Sequence, residues 1–222
     1  MDINEIYSLV RFIANKSQSG YITPEEFNNA FNLSQDQYFH QLIEALQGWD
    51  ANRRRIRLPM GNAQQVIQKL APFIVKDTSV VVPGTGVYPK PGDLSNLLAI
   101  RSADNTQRVW RVEHDRVFSH ASSTIDLPEE TPFYTEYNNN YQIYPITIGT
   151  INVDYLRTPP NALWAYTVVS GRPVYDIGSS IQPLWQDTEI TELIIRILFM
   201  FGISIQASQL VQYYGSVKND GQ

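Results

Sequence analysis

Apolar residues recur every three to four positions near the two ends of the chain, and every second position in its middle. Ile3, Ile6, Leu9, Val10 and Ile13 predict an amphipathic helix from Asp2 to Lys16. Ser17 to Tyr21 breaks it. Thr23-Pro24-Glu25-Glu26 then carries the signs of a second helix start: a capping hydroxyl, a proline at the first helical position and a glutamate three residues after the cap. Phe27, Phe31, Tyr38, Leu42, Ile43 and Leu46 extend that helix to Gln47, with Gly48 as its expected stop and Ser34 as a possible kink. Ala63 to Lys69 reads as a short helix ended by Pro72.

From Thr78 the period changes to two. Ser79 to Val82, Leu97 to Ser102, Gln107 to Val112, Phe133 to Tyr137, Tyr141 to Pro145 and Thr150 to Arg157 alternate and are rich in β-branched and aromatic residues. Turn residues separate them at Pro83–Gly86, Asp104-Asn105 and Asn138–Asn140. Trp164 to Tyr175 adds one or two strands, and Ile181 to Trp185 is an extended approach to the last helix. Arg116 to Ser122 fits a short helix or a loop equally well.

Leu193 to Ile203 is the most apolar run, and Arg196 is the only charge between Glu192 and Lys218. Asp187-Thr188-Glu189 supplies a helix start and Gly215 the expected stop. A helix apolar on nearly every face belongs in a core or a membrane. A membrane span needs about 20 mostly apolar residues. This run is shorter, contains Arg196 and turns polar at Gln206, Ser208, Gln209 and Gln212, so the expectation is a buried helix and no membrane. The Gln206–Gln212 continuation keeps helical spacing while becoming polar, which makes Gln206, Gln209 and Gln212 candidates for a subunit contact. Helices, then strands, then one helix make an α+β fold: N-terminal helices and a long C-terminal helix packed with a central antiparallel β region. The expected organisation is a single domain over 1–222, with a helical layer at 1–75 and 187–215 and a β region at 76–186.

Composition narrows the function classes. Only 18% of the 222 residues are charged while 12% are aromatic, which suits a surface covered by partners. The net charge of −5 argues against bulk attraction to nucleic acid or an anionic membrane. The absence of cysteine excludes disulfides and thiolate–metal sites. The first residues lack the basic and apolar regions of a signal peptide.

Candidate chemistry is sparse. Asn15 to Glu26 overlays a twelve-residue calcium loop, with Gly20 at the sixth position, Ile22 at the eighth and Glu26 at the twelfth. Asn15, Ser17 and Ser19 stand where carboxylates are expected, and only Glu26 is a certain carboxylate ligand. The same residues read as a structural turn with a capping box, so no metal is assigned. Arg53, Arg54, Arg55 and Arg57 form a basic run that could touch phosphates; the preferred reading is a contact with protein. His40, His114 and His120 lack zinc spacing and a nucleophile partner. Gly84-Thr85-Gly86 lacks the lysine and helix of a phosphate loop. Tyr134, Tyr137, Tyr141, Tyr144 and Tyr155 could stack on sugars or make a sheet face. No catalytic set is present, no cofactor is implied, and the expectation is a non-enzyme.

Three stretches together resemble structural proteins of crAss-like and related tailed phages of Bacteroidetes. Asn15-Lys16 through Gly20, Ile22, Pro24 and Glu26-Phe27-Asn28 matches an N-K-x-x-x-G-x-I-x-P-x-E-F-N turn after a first helix. Ile143-Tyr144-Pro145 followed by Val153 to Pro160 resembles paired strands ending in Y-x-R-x-P. Leu184-Trp185 through Gly202 to Gln206 resembles an acidic-start closing helix. The resemblance implies a virion protein of the neck or tail, made in the host cytoplasm, forming a homo-oligomeric and usually dodecameric ring below the portal. It implies contacts with the portal protein and other neck or tail rings, and with genomic DNA passing without sequence specificity; it carries no catalytic residues. The acidic charge suits a channel wall past which DNA slides. The competing class is a calcium- or carbohydrate-binding module of the tail-adaptor or receptor-binding type.

Overall fold

The computed structural model describes residues 1–17, 20–53, 61–81, 84–103, 107–121, 131–146 and 148–203. It is a mixed α+β protein with helices at both ends and a curled, mostly antiparallel sheet. The chain divides into two compact units, residues 1–72 with 159–222 and residues 73–158, at boundaries other than the expected 76–186. The strands near residues 166–175 thus belong with the helices.

In the helical unit, α1 spans Ile3–Lys16 and α2 spans Pro24–Arg53. Asp2 caps α1 in a capping box with Glu5, and Ile3, Ile6, Leu9, Val10 and Ile13 are all buried. The α2 start is the box expected from sequence: the Glu26 amide donates to Thr23 Oγ1 (3.2 Å), and the Thr23 amide donates to Glu26 Oε2 (2.9 Å). Gly48 does not stop α2, which continues five residues further, to Arg53. A mid-helix glycine costs only about 1 kcal/mol against alanine, and a 30-residue helix absorbs it. Ser34 is buried within the continuous helix. Gly61–Leu70 forms α3.

The last helix of the unit, α5, spans Asp187–Met200 and packs on α1 and α2. Its N-cap is Gln186, without a side-chain bond, so Asp187 lies inside the helix. Ile190, Leu193, Ile194, Ile197 and Leu198 are buried, whereas Phe199 is 73% exposed; the helix buries one face rather than its whole circumference. It ends fifteen residues before Gly215. Gly202 takes φ +76°, the Ile203 amide donates to the Leu198 carbonyl (2.8 Å) and the Gly202 amide to that of Phe199 (2.9 Å). This is a Schellman stop, which needs the left-handed conformation that glycine adopts without strain. Gln206, Gln209 and Gln212 lie outside the described residues.

The segment returning to this unit bridges Ile181 through Leu163 and otherwise pairs with helix side chains. Asn28 Nδ2 donates to the Trp164 carbonyl (3.1 Å) and its Oδ1 accepts from the Trp164 amide (2.8 Å). Asn32 does the same at Ala162 (3.0 and 2.9 Å). Gln35 donates to the Pro160 carbonyl (3.2 Å); Pro160 has no N–H, and Gln35 Oε1 accepts from Trp185 Nε1 instead (3.3 Å). Beyond this seam, β8 (Tyr166–Val169) and β9 (Arg172–Tyr175) form a hairpin with Ser170 and Gly171 both at positive φ, the two-residue turn matched to strand twist.

The other unit holds β1 (Ile74–Val81), β2 (Val87–Pro89), β3 (Leu94–Ser102), β4 (Arg108–Arg111), α4 (Val117–Ala121), β5 (Phe133–Tyr137), β6 (Asn140–Tyr144) and β7 (Thr150–Arg157). The sheet order is β1-β7-β3-β4-β5-β6-β2. Only β4–β5 is parallel among the described pairs, and the connection between them contains α4, as parallel neighbours require a long crossover. Tyr88, Ile100, Val109, Tyr134, Tyr141, Ile143, Ile151, Val153 and Tyr155 form its core. Arg101 Nη2 donates to both Asp154 carboxylate oxygens (2.8 and 2.7 Å), which ties β3 to β7.

Ile197 is fully buried, so Ile197→Asp places a carboxylate in an apolar core. Its expected cost is about 4 kcal/mol or more, against about 1 kcal/mol for Ile197→Val. Urea unfolding of both variants measures this; wild-type stability of the aspartate variant would show that the face is not core.

Candidate functional site

The calcium-like loop is built as a turn. Ser17 caps α1, Gly20 takes φ +90°, and Ile22 is buried with its carbonyl accepting from Tyr7 Oη (3.1 Å). Glu26 Oε2 accepts from both the amide and the hydroxyl of Thr23 (2.9 Å each). Those bonds, the backbone one first, hold its carboxyl below the usual range. The carboxylate at the twelfth position is therefore engaged in the cap. Ser19 lies outside the described residues, and Asn15 belongs to the last turn of α1.

Arg53 is the last residue of α2, while Arg54, Arg55 and Arg57 lie outside the described residues. Among the described residues no group of three His, Asp or Glu side chains could hold a metal ion. No described helix is long and apolar enough to cross a membrane. The tyrosine run does not form one surface. Tyr134, Tyr141 and Tyr155 are buried in the sheet core, and burial raises the pKa of each hydroxyl. Tyr137 stays exposed, its ring stacked 6.0 Å from that of His114.

A polar cluster that sequence reasoning missed joins three helices of the helical unit. Glu189, at the third position of α5, is buried at the positive end of the helix dipole. Tyr38 of α2 donates its hydroxyl to Glu189 Oε2. Lys69 of α3 donates to Tyr38 Oη (3.1 Å) and pairs with Glu189 Oε2 (3.0 Å). Arg196 lies 4.9 Å over the Tyr38 ring and pairs with Glu192 (3.0 Å), while the Trp185 ring stands 5.3 Å from that of Tyr38. The cluster borders an open cavity of about 440 Å³. Burial and then the bond to Glu189 push the Tyr38 hydroxyl above its ordinary value. Burial alone would lower Lys69, but its bonds to Tyr38 and Glu189 outweigh that and raise it. The cluster ties helices together. Its only sequence signal is an acid in the first turn of an apolar helix, which does not name its partners.

The β8–β9 hairpin exposes apolar side chains on both of its strands. Tyr166 and Tyr175 stack on Trp164 (5.8 and 5.7 Å), whose ring meets Tyr7 at 4.4 Å and whose Nε1 donates to Asn4 (3.1 Å). Past this anchor Val169 is 55% and Val174 47% exposed, and Ile177 just after the hairpin is 77% exposed. No described strand adds to either hairpin edge. No family model and no curated protein sequence matches the chain.

Two expectations follow. Thr23→Ala loses the α2 cap and about 1 kcal/mol of stability, while calcium at millimolar concentration leaves calorimetric melting of the wild type unmoved; a calcium-dependent rise in Tm would overturn the turn assignment. Tyr38 and Lys69 both have raised folded-state pKa values, so the stability they contribute is complete below their ordinary values of 10.0 and 10.5 and is lost as pH rises through the folded values. Tyr38→Phe is expected to be less stable at neutral pH by about 1–3 kcal/mol and to lose less than wild type on going from pH 9 to 11, about one pH unit either side of those ordinary values; parallel urea curves at both pH values provide the check.

Proposed function

We propose that the chain is a structural virion protein of a tailed phage, a homo-oligomeric ring subunit of the neck or tail below the portal. In this reading it extends the DNA channel, docks on the portal and on other ring proteins, and does no chemistry. The three-stretch resemblance motivates it, and the open-edged β8–β9 hairpin is the observation that carries it. Past its Trp164 anchor the ribbon keeps unpaired edges beside exposed valines, a ready template for another chain. A second copy of this chain is the occupant that a ring requires, because a heterologous contact repeated around an axis closes into a ring. The low content of charged residues and the net charge of −5 support contact with several protein neighbours and weak adhesion to DNA.

The calcium reading loses support from Glu26, whose carboxylate caps α2. Sugar stacking along the tyrosine run loses it from the burial of Tyr134, Tyr141 and Tyr155.

Native mass spectrometry of the full chain, alone and with portal protein as template, tests the proposal. The expected result is a ring-sized homo-oligomer in at least one condition, abolished by Val169→Asp with Val174→Asp while the circular dichroism spectrum is retained. A monomer in both conditions, or a ring indifferent to the double substitution, would sink the proposal or its hairpin contact respectively.

A further inference from the structure

The outer face of β5 and β6 carries a trough that the ring reading leaves unused. Cross-strand pairing sets the side chains of this face in rows: Phe133 with Tyr144, Thr135 with Gln142, and Tyr137 with Asn140. The alternate residues Tyr134, Tyr141 and Ile143 belong to the opposite face, in the sheet core. Tyr137 and Tyr144 are thus the tyrosines of the run that the core does not claim.

The middle row holds no ring, and there the surface opens into a cavity of about 350 Å³ lined by His114, Thr135, Tyr137, Gln142 and Tyr144. That volume is at the small end of ligand sites, roughly 300–1,000 Å³. The flanking rows lie about 13 Å apart along the strands, four residues at 3.3–3.4 Å each. Each wall ring is held by a second ring: Tyr144 stacks on Phe133 (4.9 Å) and Tyr137 on His114 (6.0 Å). Tyr137 nonetheless stays 59% exposed. The floor is polar and unspent. Thr135 is only 3% exposed, and its hydroxyl has no hydrogen-bond partner among the described residues. Gln142 Nε2 donates to the Thr85 carbonyl (3.0 Å), which holds the amide in place and leaves Oε1 as an acceptor.

This lining selects among ligands. No Asp, Glu, Lys or Arg is part of it, so a carboxylate or a phosphate finds no ionic partner there. A purely apolar group would fill the trough but leave the Thr135 hydroxyl buried and unpaired, at the cost of its desolvation. A neutral pyranose meets both demands. With its hydroxyls equatorial it turns apolar C–H faces to the tyrosine rings, and every hydroxyl on its rim both donates and accepts.

We infer that this trough binds one neutral sugar ring, its C–H faces toward Tyr137 and Tyr144 and its hydroxyl rim on Thr135 Oγ1 and Gln142 Oε1. The site goes beyond the ring-subunit reading and does not rest on it, since all its lining residues lie in the sheet unit of one chain.

Saturation-transfer difference NMR of the full-length wild-type chain with methyl β-D-glucopyranoside is the test. D-glucuronate, adenosine and N-acetyltyrosinamide serve as the charged, nucleoside and aromatic-peptide comparisons. Saturable transfer to the ring C–H protons of the glucoside is expected, with each comparison binding more weakly. Tyr137 is exposed, so Tyr137→Ala should keep the wild-type circular dichroism spectrum and weaken glucoside binding by about tenfold, the size of a lost aromatic contact. Thr135→Val keeps the shape of the floor and removes its hydroxyl, and should weaken binding by about three- to tenfold. Absence of saturable transfer, indifference to either substitution, or any comparison binding as tightly as the glucoside would each overturn the assignment. Oligomeric state is read separately by native mass spectrometry, so failure here leaves the ring reading untouched.

Discussion

The helical unit depends on a seam between one face of a helix and an extended segment. Residues 160–164 come back from the sheet unit with only Leu163 bridged to another extended residue, Ile181, and their other backbone groups need partners once water is excluded. Asn28, Asn32 and Gln35 of α2 supply them as if their amides were a neighbouring strand. The geometry works because four helical residues rise about 6.0 Å and two strand residues about 6.6 Å. Asn28 and Asn32 thus meet Trp164 and Ala162 in step. The next amide comes only three residues along, and glutamine's extra methylene makes up the shortfall at Pro160. Each such bond contributes about 1 kcal/mol net, but an unmatched one left buried costs more. The seam therefore specifies register more than it adds stability.

What the seam positions matters for everything beyond it. Trp164, held by Asn28, presents its ring to Tyr7 on one side and to Tyr166 and Tyr175 on the other. The hairpin's base is thereby fixed to α1 and α2 while its outer valines stay in solvent. Midway along α2, the bonds of Tyr38 to Glu189 and Lys69 tie α5 and α3 to it.

Local features were legible in the sequence and long-range ones were not. The capping box at Thr23 and Glu26 could be read directly because a helix start is decided within four residues. The strands at 150–157 and 133–144 were equally clear, since alternation is a local pattern. Alternation does not say which face is inside, however, and the tyrosines considered for sugar stacking turned out to be core at Tyr134, Tyr141 and Tyr155. Gly202 ended the last helix in place of Gly215 because a Schellman stop is chosen by the bonds of Ile203 and Gly202, which compete with simple continuation of an apolar run. The amide seam left no periodic trace, as Asn28, Asn32 and Gln35 look like an ordinary polar flank until the segment at 160–164 is placed beside them.

The sheet unit interrupts the helical one, and this imposes an order on synthesis. Residues 1–72 leave the ribosome first but lack the partners of Asn28, Asn32 and Gln35, and of the apolar faces that α5 covers. Residues 73–158 follow and carry a core cluster built from their own strands. The N-terminal helices close only when the chain has been made through α5. Until then the face of α2 that carries Phe27, Phe31 and Phe39, buried in the finished fold, lacks its cover.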